Sequence, residues 1–370
     1  MRRVRSGVET RERRGRLRPL LAAARSASSD ETPTLHAPRH LIRLHDLTDS
    51  ELEEVLELST RRKLRPGVNE LEGRSVGMLF FRGSLRTRAS LECAVNGLGA
   101  HAVNLTAMSD FWELEERDGS VMDGRSPEHI KDAAAVLSQY VDALAIRPSA
   151  AGRSWDVDRR DAGISSWARH ASVPVLNMES TLWHPMQALA DLVTLREHLG
   201  TLPGKELAIT WVRSPQPASA SVVHSLLHAA LRFGMKVRLA HPAGFELDEG
   251  VLAEAEKLAQ KSGGSLEAVS SLEEGVRGAA IVYARSWQSI ESYGNPTLAA
   301  SQRSRATDWM LTESLLGETD EGKVMHAMPV RRNVEITDEV LDGPRSLLVE
   351  QAGNRLPSQK ALLVHLLRHA

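Results

Sequence analysis

From Leu41 to the C-terminus, short apolar runs alternate with amphipathic runs of helical period, and this restricts the fold more than any other feature. The strand-like runs are residues 75–81, 102–105, 143–146, 173–176, 206–211, 236–240, 279–283, 324–326 and 346–349. Helical patterns lie between most of them, at 49–62, 87–98, 127–139, 184–199 and 218–233. The helix opening at Asp49 has Thr48 as its N-cap, and Glu51 completes a capping box. Strands joined through helices of this length form parallel sheets with right-handed crossovers. The strands divide into two sets of four or five, with the break near 184–204. This predicts an α/β protein of two similar doubly wound parallel-sheet domains. Ligands in such folds lie beyond the carboxyl ends of the strands, on loops that open the next helix. The final helix, 351–369, is placed to pack back on the first.

Composition narrows the function. The length of 370 residues fits about two domains, and a formal net charge of −2 argues against a nucleic-acid partner. No apolar run approaches the roughly 18 residues of a membrane span. A single cysteine, Cys93, excludes an intrachain disulfide framework and a cysteine-based zinc site, and fits a reducing cytoplasm. Residues 1–40 differ from the rest: Met1 to Arg18 holds eight arginines among few apolar residues. They read as a disordered Arg-rich extension, with a targeting segment or a start codon called too early as alternatives. Glu9 and Glu12 weaken the transit-peptide reading, and Leu20 to Ala24 is too short for a signal peptide.

Five places carry chemistry. In Phe80-Phe81-Arg82-Gly83-Ser84-Leu85-Arg86-Thr87-Arg88, an apolar strand gives way to small residues, hydroxyls and arginines at a helix start. That combination suits a phosphate, although a capped helix with solvent-facing arginines fits the same residues. Arg147 follows the strand ending at Ile146 and is either a second cation for that anion or a surface arginine. His184 and Gln187, in His184-Pro185-Met186-Gln187, share one face at a helix N-terminus, where the dipole favours a neutral imidazole. A packed or capping histidine is the plain alternative. His326-Ala327-Met328-Pro329 ends a strand, and the Met-Pro step predicts extended backbone at Met328 with main-chain carbonyls free for a ligand amine. Arg331 and Arg332 beyond it suit a carboxylate. Trp112 sits in a polar loop, where it is a candidate interface anchor.

Taken together and in order, these segments resemble the aspartate/ornithine transcarbamylase family over roughly Leu41 to the C-terminus. Ser84-Leu85-Arg86-Thr87-Arg88 resembles the family's carbamoyl-phosphate motif, and His184-Pro185-Met186-Gln187 and His326-Ala327-Met328-Pro329 resemble its two later motifs. Asp110-Phe111-Trp112, Pro127-Glu128-His129, Asn177-Met178-Glu179-Ser180 and Met328-Pro329-Val330-Arg331-Arg332-Asn333 are most similar to the branch that uses N-acetyl- or N-succinylornithine.

The resemblance implies a carbamoyl-phosphate-binding domain at 41–183, completed by 351–370, an acceptor domain at 184–350, and an active site in the cleft between them. Ser84, Leu85, Arg86 and Thr87 would hold the phosphate, with Arg147 and Arg355 beside it. His184 would polarise the carbamoyl carbonyl, Gln187 would orient the carbamoyl amine, and the main chain at Ala327 and Met328 would accept from that amine. Pro127, Glu179, Arg285 and Arg331 would face the acceptor. Trp112 would reach a neighbouring subunit's phosphate, implying a homotrimer with shared sites in the cytoplasm, serving arginine biosynthesis. No metal or organic cofactor is required, because phosphate is a good leaving group.

Departures fall on the acceptor side. Arg285 stands where relatives of that branch have lysine, Ser214 where they have histidine, and Glu335 replaces the acetyl type's lysine. Pro127 matches the succinyl type, whereas the acetyl type has glutamate there. N-succinylornithine is therefore favoured over N-acetylornithine. Free ornithine or another amine, and a catalytically silent ligand-binding paralogue, are the alternatives.

Overall fold

A computed structural model describes residues 38–64 and 69–368. The expectation for 1–40 thus falls almost wholly outside the described residues. Its last three residues belong to the fold: Arg39 pairs with Glu51 at 2.7 Å, and His40 Nδ1 accepts the Val175 N–H at 3.1 Å.

Two all-parallel sheets form the framework. The first contains β1 (Ser75–Phe80), β2 (His101–Thr106), β3 (Ala143–Arg147) and β4 (Val175–Asn177), in the order β2-β1-β3-β4. The second contains β5 (Glu206–Trp211), β6 (Lys236–Ala240), β7 (Ser265–Val269), β8 (Ile281–Arg285) and β9 (Lys323–Met325), in the order β9-β8-β5-β6-β7. The central strands are buried along nearly their whole length, as parallel strands covered by helices on both faces must be. Each sheet reverses direction beside its first strand. The loops after β1 and β3 therefore leave on opposite sides, as do those after β5 and β8, which opens a crevice at each carboxyl edge. Register aligns those edges: Phe80 pairs with Arg147, and Trp211 with Arg285.

Helix α1 (Asp49–Leu64) starts at the expected capping box: Thr48 N–H donates to Glu51 Oε2 at 2.9 Å, and Glu51 N–H to Thr48 Oγ1 at 3.3 Å. Helix α2 (Leu85–Asn96) follows β1, α3 (Ile130–Leu137) precedes β3, α4 (Pro185–Leu199) joins the sheets, and α5 (Ser221–Arg232) and α6 (Glu249–Ser262) cover the second sheet. The last helix, α7 (Arg355–Leu367), packs against α1, α2 and α4.

Three local expectations need correction. Residues 346–349 are not a strand: Ser346 makes one isolated bridge to Val324, and Leu348–Gly353 is a short helix that buries Leu348 and Gln351. The edge strand β7 had no apolar run to mark it, because its one neighbour leaves most of its side chains exposed. The helix expected from Pro127 starts at Ile130. Glu128 and His129 instead pair with Leu114 and Glu115 in a short ladder, and His129 Nδ1 caps the helix by accepting the Lys131 N–H.

Candidate active site

The carboxyl edges of both sheets open into one cleft of about 1470 Å³. After β1 the chain runs through Arg82-Gly83 to Ser84, whose Oγ accepts the Thr87 N–H at 3.3 Å and so caps α2. Leu85, the first residue of α2, is exposed and lines the opening. Arg86 lines the same wall, and the charged group it feels is another cation, Arg285, at the end of β8. Burial, then Arg285, pulls its pKa down.

A buried network ties the walls together. Arg355, at the start of α7, donates to Gln187 Oε1 at 2.7 Å and to Thr87 Oγ1 at 2.8 Å. Gln187 donates to Asp191 Oδ1 at 2.8 Å, which also accepts from Gln351 at 2.7 Å, and Tyr283 donates to Asp191 Oδ2 at 3.1 Å. Gln351 Oε1 accepts the His326 N–H at 2.8 Å. Phosphate-type loop, His-Pro-Met-Gln helix and His-Ala-Met-Pro loop thus share one set of hydrogen bonds. Burial raises the Asp191 carboxyl to about 6, and burial, followed by the field of Arg147, lowers Arg355 to about 10.

Glu179 follows β4 with φ of 152°, a region L-residues rarely adopt and one that is held at functional sites by surrounding contacts. The contacts here are numerous. Its N–H donates to Asn177 Oδ1, its carbonyl accepts from Arg82, and its carboxylate meets Arg147 at 2.5 Å and Ser221 Oγ at 3.2 Å. Burial alone would raise its pKa, but Arg147 and then other neighbouring cations, Arg82 among them, hold it well below the carboxylate range.

His184 donates its N–H to Ser225 Oγ at 2.7 Å, and its ring does not cap α4. Nδ1 is buried without a partner among the described residues, and Nε2 is 4.0 Å from Glu179. Burial, outweighing Glu179, keeps the imidazole neutral well below its ordinary pKa. In the His326 loop the backbone differs from expectation. Met328 has φ of 46° and precedes a cis proline, because its N–H turns back to His326 Nδ1 at 2.8 Å. Ala327 and Met328 still line the cleft, and Glu335 sits 3.2 Å from His326 Nε2.

Ser84, Leu85, Arg86, Thr87, Trp112, Arg147, Glu179, His184, Gln187, Arg285, Ala327, Met328 and Arg355 all line this cleft. Two expected residues do not. Arg331 is exposed and reaches only Gln216, which does line it, at 3.1 Å. Pro127 is exposed on the 121–127 segment. Trp112, half exposed, donates through Nε1 to Glu128, the residue after Pro127, at 2.8 Å. Sequence reasoning passed over Arg82, Asp191 and Gln351. Asp191 was within reach, since it lies four residues after Gln187 on the same helix face.

Comparison with known proteins agrees with this geometry. Residues 39–197 match the model of the aspartate/ornithine carbamoyltransferase carbamoyl-P binding domain, and 205–366 that of the Asp/Orn binding domain. The N-acetylornithine carbamoyltransferase of Xanthomonas campestris pv. campestris is 37% identical over 89% of this chain and 97% of its own. An ornithine carbamoyltransferase of Parafrankia sp. is 39% identical over 89% of this chain and 96% of its own. The crystal structure of an acetylornithine transcarbamylase complexed with acetylcitrulline superposes with a TM-score of 0.87 at 37% identity, covering 89% of this chain and 99% of the other. A glutamate-to-proline mutant of N-acetyl-L-ornithine transcarbamylase, complexed with carbamyl phosphate and N-succinyl-L-norvaline, has a TM-score of 0.86 at 37% identity, covering 88% and 99%.

Proposed function

The chain belongs to the aspartate/ornithine carbamoyltransferase family and is a carbamoyltransferase, and from that premise we propose that it carbamoylates the side-chain amine of an N-acylated ornithine, with N-succinylornithine preferred. The observation that carries this reading is a set of donors with nothing to donate to. Nε of Arg82, Arg147, Arg285 and Arg355 and Nδ1 of His184 are buried without hydrogen-bond partners among the described residues, all on residues that line one cleft. Buried polar groups are nearly always satisfied, so such a set anticipates an anionic, carbonyl-bearing ligand.

In the proposed reaction, Ser84, Leu85, Arg86, Thr87, Arg147 and Arg355 bind the phosphate of carbamoyl phosphate, and His184 donates to its carbonyl oxygen. Gln187 and the main chain at Ala327 and Met328 orient the carbamoyl amine. The acceptor nitrogen's lone pair attacks the carbamoyl carbon, the carbon–oxygen bond to phosphate breaks, and phosphate leaves with that electron pair. The proton released by the attacking nitrogen goes to the departing phosphate, which leaves as hydrogen phosphate. The cleft contributes positioning and stabilisation of charge on the carbonyl oxygen. Residues 41–183 with 351–370 form the carbamoyl-phosphate half, and 184–350 the acceptor half, with Glu179 and Arg285 toward the amino acid and Arg331 at its rim. The product, an N-acylcitrulline, fits arginine biosynthesis in the cytoplasm.

The acyl preference rests on Pro127 and Glu335. A proline adds no charge near an incoming succinyl carboxylate, whereas a glutamate repels it. That a glutamate-to-proline mutant of a relative is complexed with an N-succinyl analogue supports this reading. Pro127→Glu is expected to shift the ratio of kcat/KM for N-succinyl- over N-acetylornithine by about tenfold toward the acetyl substrate. Steady-state assays with N-succinyl-, N-acetyl- and free ornithine test it. An unmutated protein that already prefers the acetyl or free substrate, or an unchanged ratio in the variant, overturns the acyl assignment.

Pro127 lies outside its own chain's cleft, although Trp112 lines that cleft, so this assignment requires the Pro127 end of the loop to act on a neighbouring subunit, as in a homotrimer with shared sites. Mixing inactive Trp112→Ala with inactive His184→Asn chains is expected to restore part of the activity, because some interfaces then join two intact halves. A monomer in solution, or no recovery on mixing, contradicts the trimer.

A further inference from the structure

We propose that His45, His228 and Glu254 form a binding site for a divalent transition-metal ion, zinc being the best match, away from the catalytic cleft. The three side chains come from three separate elements: the turn Leu44–Asp46, α5 and α6. Their donor atoms lie within 4.8 Å of one another, the one such group of three among the described residues.

Two independent details point at a ligand. His228 is 2% exposed, and its Nε2 faces the Val251 carbonyl at 2.8 Å. That contact fixes the proton on Nε2 and leaves Nδ1 with a free lone pair, the arrangement in which a ligating histidine is held by its second nitrogen. Nδ1 of His228 and Nε2 of His45 are both buried with no hydrogen-bond partner among the described residues. The rings meet edge to face with centroids 5.2 Å apart, and Glu254 Oε1 is 3.8 Å from His45 Nε2. Two imidazoles and a carboxylate are a common zinc donor set. Zinc bonds of about 2.0–2.1 Å place tetrahedral donors about 3.3 Å apart, so the group has to close by at most about 1.5 Å.

The charges around the site permit this. Arg43 contacts Glu254 at 3.2 Å from a partly exposed position, and a metal ion would displace it as the counter-charge. Arg232 is engaged elsewhere, by the Leu44 and Leu47 carbonyls and Asp49. Asp46 adds a further negative charge, its carboxylate accepting the Ile42 and Arg43 amides. Glu254 is partly open to solvent, so water takes the fourth position. The ion would clip the Leu44–Asp46 turn to α5, which presents Ser221 to Glu179 and Ser225 to the His184 amide.

The full-length protein, stripped with a chelator, is titrated with zinc against a chromophoric competitor, and cobalt spectra are recorded in parallel. The expected result is one equivalent per chain, a visible tetrahedral cobalt band, and a zinc-dependent rise in Tm. His45→Ala and Glu254→Gln, both at partly exposed positions, are expected to weaken this equivalent at least tenfold, abolish the Tm rise and retain carbamoyl transfer. No stoichiometric zinc in the unmutated protein, no cobalt band, or an equivalent that survives both substitutions, overturns the proposal.

Discussion

Arg86→Ala is expected to lose turnover and carbamoyl phosphate affinity together, by roughly 100-fold or more in affinity. A guanidinium gripping a phosphate makes paired, charge-assisted hydrogen bonds, each worth about 1.5–3 kcal/mol. Among the described residues the charged group nearest in effect to Arg86 is the like-charged Arg285 rather than a carboxylate. Removing Arg86 therefore relieves a repulsion with Arg285, and the variant is expected to fold at least as stably as its parent. Calorimetry with carbamoyl phosphate separates the outcomes. Near-native affinity in the variant places the phosphate elsewhere.

His184→Asn is expected to fold normally and lose about 100- to 1000-fold in kcat, with a much smaller change in carbamoyl phosphate binding. The asymmetry follows from the role: a donor to the carbonyl oxygen gains strength only as charge develops there. Its pH signature is specific. Burial holds the His184 pKa well below the usual value, so the ring stays neutral throughout the working range. The acceptor amine, with a Lys-like pKa of about 10, has to lose its proton before attack. The logarithm of kcat/KM is therefore expected to rise with unit slope from pH 6 to 8, with no break near 6.5. A break there that vanishes in His184→Asn means that the ring titrates in the free enzyme. An unchanged kcat means that it only packs.

Much of this was legible in the sequence, for physical reasons that differ by element. Central parallel strands are buried on both faces and read as unbroken apolar runs, so β1, β3 and β5 were located to within a residue of their ends. The edge strand β7 shows mainly exposed side chains and left no such signal. Most of the residues that meet in the cleft were legible because they lie at or just after a strand's carboxyl end, where this architecture places ligands, whereas Arg355, at the start of α7, was implied only by the family resemblance. Their cross-links were not. Contacts such as Arg355 with Thr87 and Gln351 with Asp191 join residues far apart in the chain, and no local pattern predicts them. The turn at Met328 was misread for a similar reason. A proline rule gave extended backbone, and the His326 ring overrode it with a hydrogen bond to the Met328 amide. Pro127 is of another kind: it is exposed and outside the cleft, so its proposed role depends on the proposed second subunit.

The most direct test of the account follows the carbon. Carbamoyl phosphate labelled with carbon-13 at the carbonyl is incubated with the protein and N-succinylornithine, and the products are followed by NMR alongside phosphate release. The account predicts that the label appears in the ureido carbon of N-succinylcitrulline, one for each phosphate released above the rate seen without protein, and that in Arg86→Ala and His184→Asn ureido label falls at least about 100-fold and phosphate release approaches the rate seen without protein. Label recovered only as cyanate or bicarbonate, at the rate seen without protein and for every ornithine derivative offered, contradicts it.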